Sequence, residues 1–324
     1  MKFLIIGCGS IGQRHISNLI SLGFKDIQIY DSNKKLSKKM GKILGVSVKN
    51  SLDFSNIDFT FICTPPNSHI LLAKKALKEK SHIFIEKPIS NSMKGISEIE
   101  RLSEKYSRKI FVGYVFRMDL GIQKIKKILS KNSIGKLISF DAYEGWYLPN
   151  WRPWQDHTKS YTGSKKLGGG IIFDGSHEIN YLQWLGGDIK QVFSYYRDIS
   201  HLKVKSEGLA EILLKFKSKA IGRVHLDFIN PEYNRHCEII GEKGSIKWDF
   251  AKKTIEVRKY NSKKISKFQY SKDTNKMYLN EIKHIIKCIR GKENNSLSIH
   301  DAITTLKISI AIKKSGKENR PISL

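Results

Sequence analysis

Apolar positions in the first 118 residues come in short runs separated by amphipathic stretches. KFLII, DIQIYD, DFTFICT, HIFIEKP and KIFVGYV are runs of strand length. Between them, IGQRHISNLISLG, KKLSKKMGKILG, SHILLAKKALKEK and SMKGISEIERLSEKY place apolar residues at helical spacing. Apolar strands linked by crossover helices predict a parallel sheet covered on both faces. After Phe116 the rhythm changes. A helix around Gly121–Leu129 leads to the strand KLISFDAYEG and an aromatic loop, WYLPNWRPWQDH. LGGG is expected to open one helix running to about Leu185. AEILLKF and AIGRVHLDF, parted by Lys217–Lys219, predict an antiparallel hairpin. Ala210, Ile212, Leu214 and Phe216 should point inward, with Glu211, Lys215 and Lys217 largely outward. MYLNEIKHIIKCIRG and SIHDAITTLKISIAIKKSG read as two closing helices. Two domains are expected: a doubly wound α/β domain over 1–118, and an α+β domain with a mostly antiparallel open sheet over 119–324.

The opening KFLIIGCGSIGQRH has a second reading, as the cleavage box of a bacterial lipoprotein. Phe3–Ile6 supplies four apolar residues before Gly7, against about 7–15 in a signal core. A buried strand entering a glycine turn fits better. No stretch approaches the roughly 18 apolar residues of a spanning helix, so a soluble, cytoplasmic chain without a membrane partner is expected. Cys8, Cys63, Cys237 and Cys288 share no CxxC or Cys/His spacing. They indicate neither a disulfide framework nor a metal site. The formal charge of +28 comes from 47 lysines and 11 arginines against 30 acids. Lysine spread over helix faces and loops argues against nucleic acid, whose binders cluster basic residues between aromatics. The positive field favours anionic small molecules, phosphorylated or carboxylated.

Gly7-Cys8-Gly9-Ser10-Ile11-Gly12 fits GxGxxG between a strand and a helix, and Asp31 ends the next strand. In that setting the first glycine makes the turn, the second lets a pyrophosphate approach, and the third packs helix on strand. Gly7, Gly9, Ser10, Ile11 and Gly12 are the candidate phosphate cradle, with free N–H groups at the helix start. Asp31 is placed to bind an adenosine ribose. Its charge would repel a 2′-phosphate, so NAD is expected, while Lys34 and Lys35 keep NADP possible. Ligands bind at the carboxyl ends of parallel strands. That brings Thr64, Pro65 and Pro66 of ICTPPNSH, and Glu86, Lys87 and Pro88 of IEKPIS, to the same crevice.

Together with VGYVFR (112–117) and Gly168-Gly169-Gly170 leading to Asp174 and His177, these motifs resemble the Gfo/Idh/MocA family of dinucleotide-dependent oxidoreductases. The resemblance covers the first 177 residues by motif and the remainder by domain plan. It implies a Rossmann domain that binds NAD through these loops, His69 of TPPNSH included. It implies sugars or their derivatives as substrates, and Lys87 and His177 flanking the reacting carbon. It also implies a second domain whose open sheet makes a homodimer or homotetramer. Many members separate the acid and histidine by three residues; here Gly175-Ser176 leaves two. WRPWQDH…SY…LGGG…DGSHEINYLQWL looks most like a branch associated with bacterial surface-sugar biosynthesis.

Hydride transfer from a secondary alcohol requires loss of the hydroxyl proton, and histidine titrates near neutral pH. His177 is the candidate general base. Asp174 either orients it or grips a second hydroxyl. Lys87 would stabilise the alkoxide or share the acid/base role. Trp151 and Tyr161 of the aromatic loop suit sugar faces, and Arg152, Lys165 and Arg117 suit a carboxylate or phosphate. Two other functions fit the same motifs: transient oxidation by held NAD that permits elimination or glycoside cleavage, and a nucleotide-sensing regulator without chemistry.

Overall fold

The computed structural model describes residues 1–324. Strand β1 (Phe3–Ile6) leads to helix α1 (Ser10–Ser21), β2 (Ile27–Tyr30), α2 (Lys34–Leu44) and β3 (Ser47–Val48). Next come β4 (Phe59–Ile62), α3 (His69–Lys78), β5 (His82–Ile85), α4 (Ile96–Lys105) and β6 (Ile110–Val112). Helix α5 (Leu120–Ser130), strand β7 (Leu137–Gly145) and the short helices α6 (Leu148–Trp151) and α7 (Ile171–Asp174) precede α8 (Ser176–Gly186). Strands β8 (Ile189–Asp198), β9 (Glu207–Phe216), β10 (Ile221–Asp227), β11 (Asn234–Gly241) and β12 (Gly244–Asp249) follow. The chain ends with β13 (Thr254–Lys259), β14 (Ile265–Gln269), α9 (Asn275–Ile289), α10 (Ile299–Glu318) and β15 (Ile322–Ser323).

Residues Met1–Val115 and Asn275–Ile303 form one compact unit, and Phe116–Thr274 with Thr304–Leu324 form the other. In the first unit the sheet order is β3-β2-β1-β4-β5-β6, with every pair parallel. This is the doubly wound order whose direction reverses between β1 and β4. β1 and β4 are buried on both faces, which is why their sequences are continuous apolar runs. Assignment of α9 to this unit differs from the division expected at residue 118. Its buried face (Met277, Ile282, Ile285, Ile286) packs toward α1. Asn275 and Asn18 exchange amide hydrogen bonds of 3.2 and 2.7 Å, and Arg14 lies 4.4 Å above the Tyr278 ring. Helical periodicity marks an apolar face but not the element that covers it.

The second unit holds a nine-stranded sheet ordered β14-β13-β12-β11-β7-β10-β9-β8-β15. β7 and β10 run parallel and the other neighbours antiparallel. The β9–β10 hairpin pairs Leu214 with Gly222 and Ala210 with Leu226. Ala210, Ile212, Leu214 and Phe216 are buried, while Glu211, Lys215 and Lys217 are exposed. The single helix expected after LGGG is two: α7 stops at Asp174, Gly175 interrupts, and α8 restarts at Ser176.

Candidate active site

In the first unit the glycine turn is a cradle made by close backbone approach. Gly7 has φ +99°, a left-handed conformation that disfavours any side chain. A Cβ at Gly12 would overlap the Gly7 carbonyl. At Gly9, by contrast, an added Cβ meets no protein atom within 4 Å. The backbone at Gly9 is therefore open rather than packed against protein. Gly9 is the N-cap of α1; no side chain caps the helix, and Ser10 and Ile11 open a first turn without an acid. That leaves a dipole end suited to a pyrophosphate. Asp31 spans the crevice edge: its Oδ2 accepts the Cys8 N–H at 2.7 Å and its Oδ1 the Asn33 N–H at 2.8 Å. Cys8 is a buried turn residue, its thiol pushed up to about 12 by burial and then by Asp31. It is no nucleophile.

The ends of β4 and β5 lie at the same edge of the sheet. Thr64 Oγ1 bonds Ser68 Oγ at 2.6 Å, and Pro65 and Pro66 lead into a short 3₁₀ turn. His69 is fully buried, with Nε2 2.7 Å from the Thr64 carbonyl and Nδ1 3.0 Å from that of Pro88. It lies between the carbonyls of the two strand-end loops, and a neutral ring donates to one of them. Burial lowers its pKa, against the pull of the two carbonyls. Glu86 places Oε1 2.8 Å from His15 Nε2 and accepts the Lys87 N–H at 3.2 Å on Oε2. Lys87 is half-buried, and the Lys87–Pro88 bond is cis.

In the second unit Gly170, at φ +113°, lies against the buried Glu207 carboxylate, with which the partly exposed Lys313 pairs at 2.7 Å. The turn delivers Asp174 and His177, both buried. Asp174 Oδ1 accepts the Tyr161 hydroxyl at 2.7 Å. Burial, and then the Asp174 charge, holds that phenol well above its usual range. Arg152 is near enough that its charge acts on Tyr161 in the opposite sense. The His177 ring meets Phe116 edge-on at 5.0 Å, and the Arg235 guanidinium covers Phe116 at 4.5 Å. Arg235 pairs with Glu178 at 2.9 Å and with Glu144. Burial pushes Glu178 up, Arg235 opposes this, and Glu144 adds to it. Sequence reasoning missed this ion triad, although Glu144 and Arg235 occupy inward strand positions where a charge is anomalous.

Other expected substrate residues have different surroundings. Arg117 is buried, donates from Nε to Asn180 Oδ1 at 2.9 Å and stacks on Trp184. It ties the chain to α8, because a buried guanidinium must be paired. Trp151 spends its N–H on the Trp146 carbonyl and packs edge-on against Phe228. It fastens the aromatic loop. Lys165 is exposed and forms a 3.2 Å pair with Asp198. Of the expected residues, Tyr161 and Asp174 are joined by a hydrogen bond, and the Arg152 charge acts on Tyr161. No cluster of three or more His, Cys, Asp or Glu side chains could hold a metal.

Residues 1–114 match the model of the oxidoreductase family, NAD-binding Rossmann fold, and residues 122–247 match the GFO/IDH/MocA C-terminal domain. The chain belongs to the GFO/IDH/MocA family of oxidoreductases. Among its relatives, myo-inositol 2-dehydrogenase of Thermotoga maritima is 26% identical over 344 aligned positions, covering 100% of this chain and 98% of the relative. Levoglucosan dehydrogenase, solved with NADH and levoglucosan, superposes with a TM-score of 0.89 at 17% identity, covering 100% and 99%. The WlbA dehydrogenase from Bordetella pertussis, solved with NADH and UDP-GlcNAcA, gives 0.86 at 20%, covering 100% and 97%. Residues 1–114 are thus an NAD-binding Rossmann fold. No helix is long and apolar enough to cross a membrane.

Proposed function

We propose that this protein is an NAD-dependent dehydrogenase, or reductase in reverse, acting on a secondary hydroxyl of an acidic or nucleotide-linked sugar. The observation that carries the reading is the glycine turn opening α1, with open backbone at Gly9, Asp31 bonded to that turn, and Lys87 just after β5 of the same parallel sheet. Bound NAD would supply the hydride acceptor. Gly7, Gly9, Ser10, Ile11 and Gly12 hold its phosphates, and Asp31 holds the adenosine ribose, favouring NAD over NADP. Thr64, Pro65 and Pro66 wall the crevice. Lys87 brings a cation to the reacting oxygen and stabilises it as the proton leaves. His177 takes that proton, with Asp174 fixed by Tyr161 beside it. Arg152 supplies the anion grip, and the UDP-sugar bound by the WlbA dehydrogenase lends support to that substrate class. The open sheet of the second unit is the proposed homodimer or homotetramer face, and the buried free cysteines suit the cytoplasm.

The test is a screen of sugar acids and nucleotide sugars with NAD, followed by absorbance of the reduced nicotinamide. With the best substrate, Lys87→Ala and His177→Ala should each lower kcat at least about tenfold while NAD affinity survives. Unchanged turnover in either variant removes that residue from the chemistry. Arg152→Met should raise KM for the anionic substrate and leave that for a neutral sugar unchanged.

A further inference from the structure

Among the buried polar atoms of the first unit without a protein hydrogen-bond partner are His15 Nδ1 on α1 and both carboxyl oxygens of Glu281 on α9. Both side chains are fully buried. They belong to one packed layer. α9 contacts α1, and the Tyr278 ring stands edge-on to His15 at 6.3 Å. Glu281 follows Tyr278 by three residues on the same helical face. Buried polar groups of this kind are satisfied by enclosed water, which needs two or more partners.

The donors and acceptors complement one another. Glu86 follows β5 and, as a carboxylate, only accepts, so His15 Nε2 at 2.8 Å carries the hydrogen. His15 Nδ1 is then a lone pair in need of a donor. Burial, and then the Glu86 charge, pushes Glu281 well above the usual carboxyl range, which makes it a donor. Other polar groups bordering this layer are Arg14 on α1, stacked on Tyr278, the Asn18–Asn275 pair and the buried Cys63 thiol after β4.

We infer that Glu281, through an enclosed water, donates a hydrogen bond to His15 Nδ1 and so locks His15 as the Nε2–H tautomer that pins Glu86 beside Lys87. Glu281 and His15 are thus positioning residues. Glu86 receives the His15 hydrogen on one oxygen and the Lys87 backbone N–H on the other. The helix that opens at the glycine cradle is thereby bolted to the turn bearing the lysine. The inference rests on the proposed role of Lys87, but the bolt itself is measurable without it.

The experiment is ¹⁵N NMR of the full-length protein without cofactor or substrate, with His15 assigned by its loss in His15→Gln. At about pH 8, His15 should show Nε2–H and a hydrogen-bonded Nδ1. Glu281→Gln, whose amide still donates, should preserve that signature and turnover. Glu281→Leu should lose it and lower kcat about three- to tenfold, as expected for one lost hydrogen bond, with NAD affinity unchanged. An imidazolium, an Nδ1–H tautomer or a free Nδ1 in the wild type overturns the inference, and so does a Leu variant that keeps both signature and rate. If Glu281→Leu does not fold, the wild-type and Gln spectra decide. Turnover lost in Lys87→Ala but kept in Glu281→Leu sinks this inference alone; turnover kept in Lys87→Ala sinks the catalytic reading.

Discussion

Asp31 shows how one side chain can serve both loop and ligand. Each of its oxygens already accepts a backbone N–H, from Cys8 and Asn33, and a carboxylate has about four acceptor positions, so two remain for a ribose. Asp31→Ala therefore removes loop support and, on the proposed reading, the ribose contact as well. Charge-assisted bonds of this kind are worth about 1.5–3 kcal/mol each. NAD should bind at least about tenfold more weakly, and the NADP-to-NAD affinity ratio should rise. Titration calorimetry with both dinucleotides reads the two effects; an unchanged ratio puts the ribose elsewhere. The glycine spacing was legible because the close backbone approach at Gly7 and Gly12 demands it. Arg117 was not, since an arginine after a strand looks the same whether it faces a ligand or lies under Trp184.

At the scale of elements, the sequence marked β7 as a strand but not what it buries. Arg235 sits opposite Glu144 in register, ninety-one positions apart in the chain, so their pairing becomes visible only when the strands are side by side. Removing the cation would strand two buried carboxylates, a loss of about 3–5 kcal/mol. Arg235→Met should lower the thermal midpoint markedly, whereas the triple replacement with apolar residues should recover much of it. Strand β5 carries a second electrostatic consequence. His82 accepts the Lys109 N–H on Nδ1 at 2.9 Å. Burial, then Arg108 and Lys109, brings its pKa down from 6.5 to about 4. The unfolded chain thus binds a proton between those values and the folded chain does not, so stability falls as pH drops from 6.5 toward 4. The full shift would correspond to about 3 kcal/mol; partial exposure reduces this to roughly 1–2 kcal/mol. His82→Gln should flatten that part of the stability curve in melts at several pH values, and an unaltered slope would assign the loss to other groups.

On the scale of the molecule, two features oppose each other. The outward face of the large sheet exposes Tyr195, Leu213 and Ile221 at 59%, 49% and 59%. Leu213 sits between Phe193 on β8 and Arg223 on β10. The alternation predicted a polar outer row on β9; Glu211 and Lys215 fit it, and Leu213 departs from it. An apolar residue at a solvent-facing strand position gains nothing in the monomer and is a signal of association. Against this stands the formal charge of +28, which makes two copies repel. If the sheet face is the subunit contact, burial supplies the attraction and screening controls the repulsion. Raising salt from about 0.01 M to about 0.15 M shortens the Debye length from about 30 to about 8 Å, so association should strengthen with salt. A contact built on ion pairs would weaken instead. Leu213→Glu adds a charge to the centre of that face without touching the core, and should yield monomers with the thermal midpoint of the separated parent subunits. Light scattering on a sizing column, at two salt concentrations and several protein concentrations, distinguishes these outcomes. A Leu213→Glu protein that elutes as the parent does would move the subunit contact off this sheet.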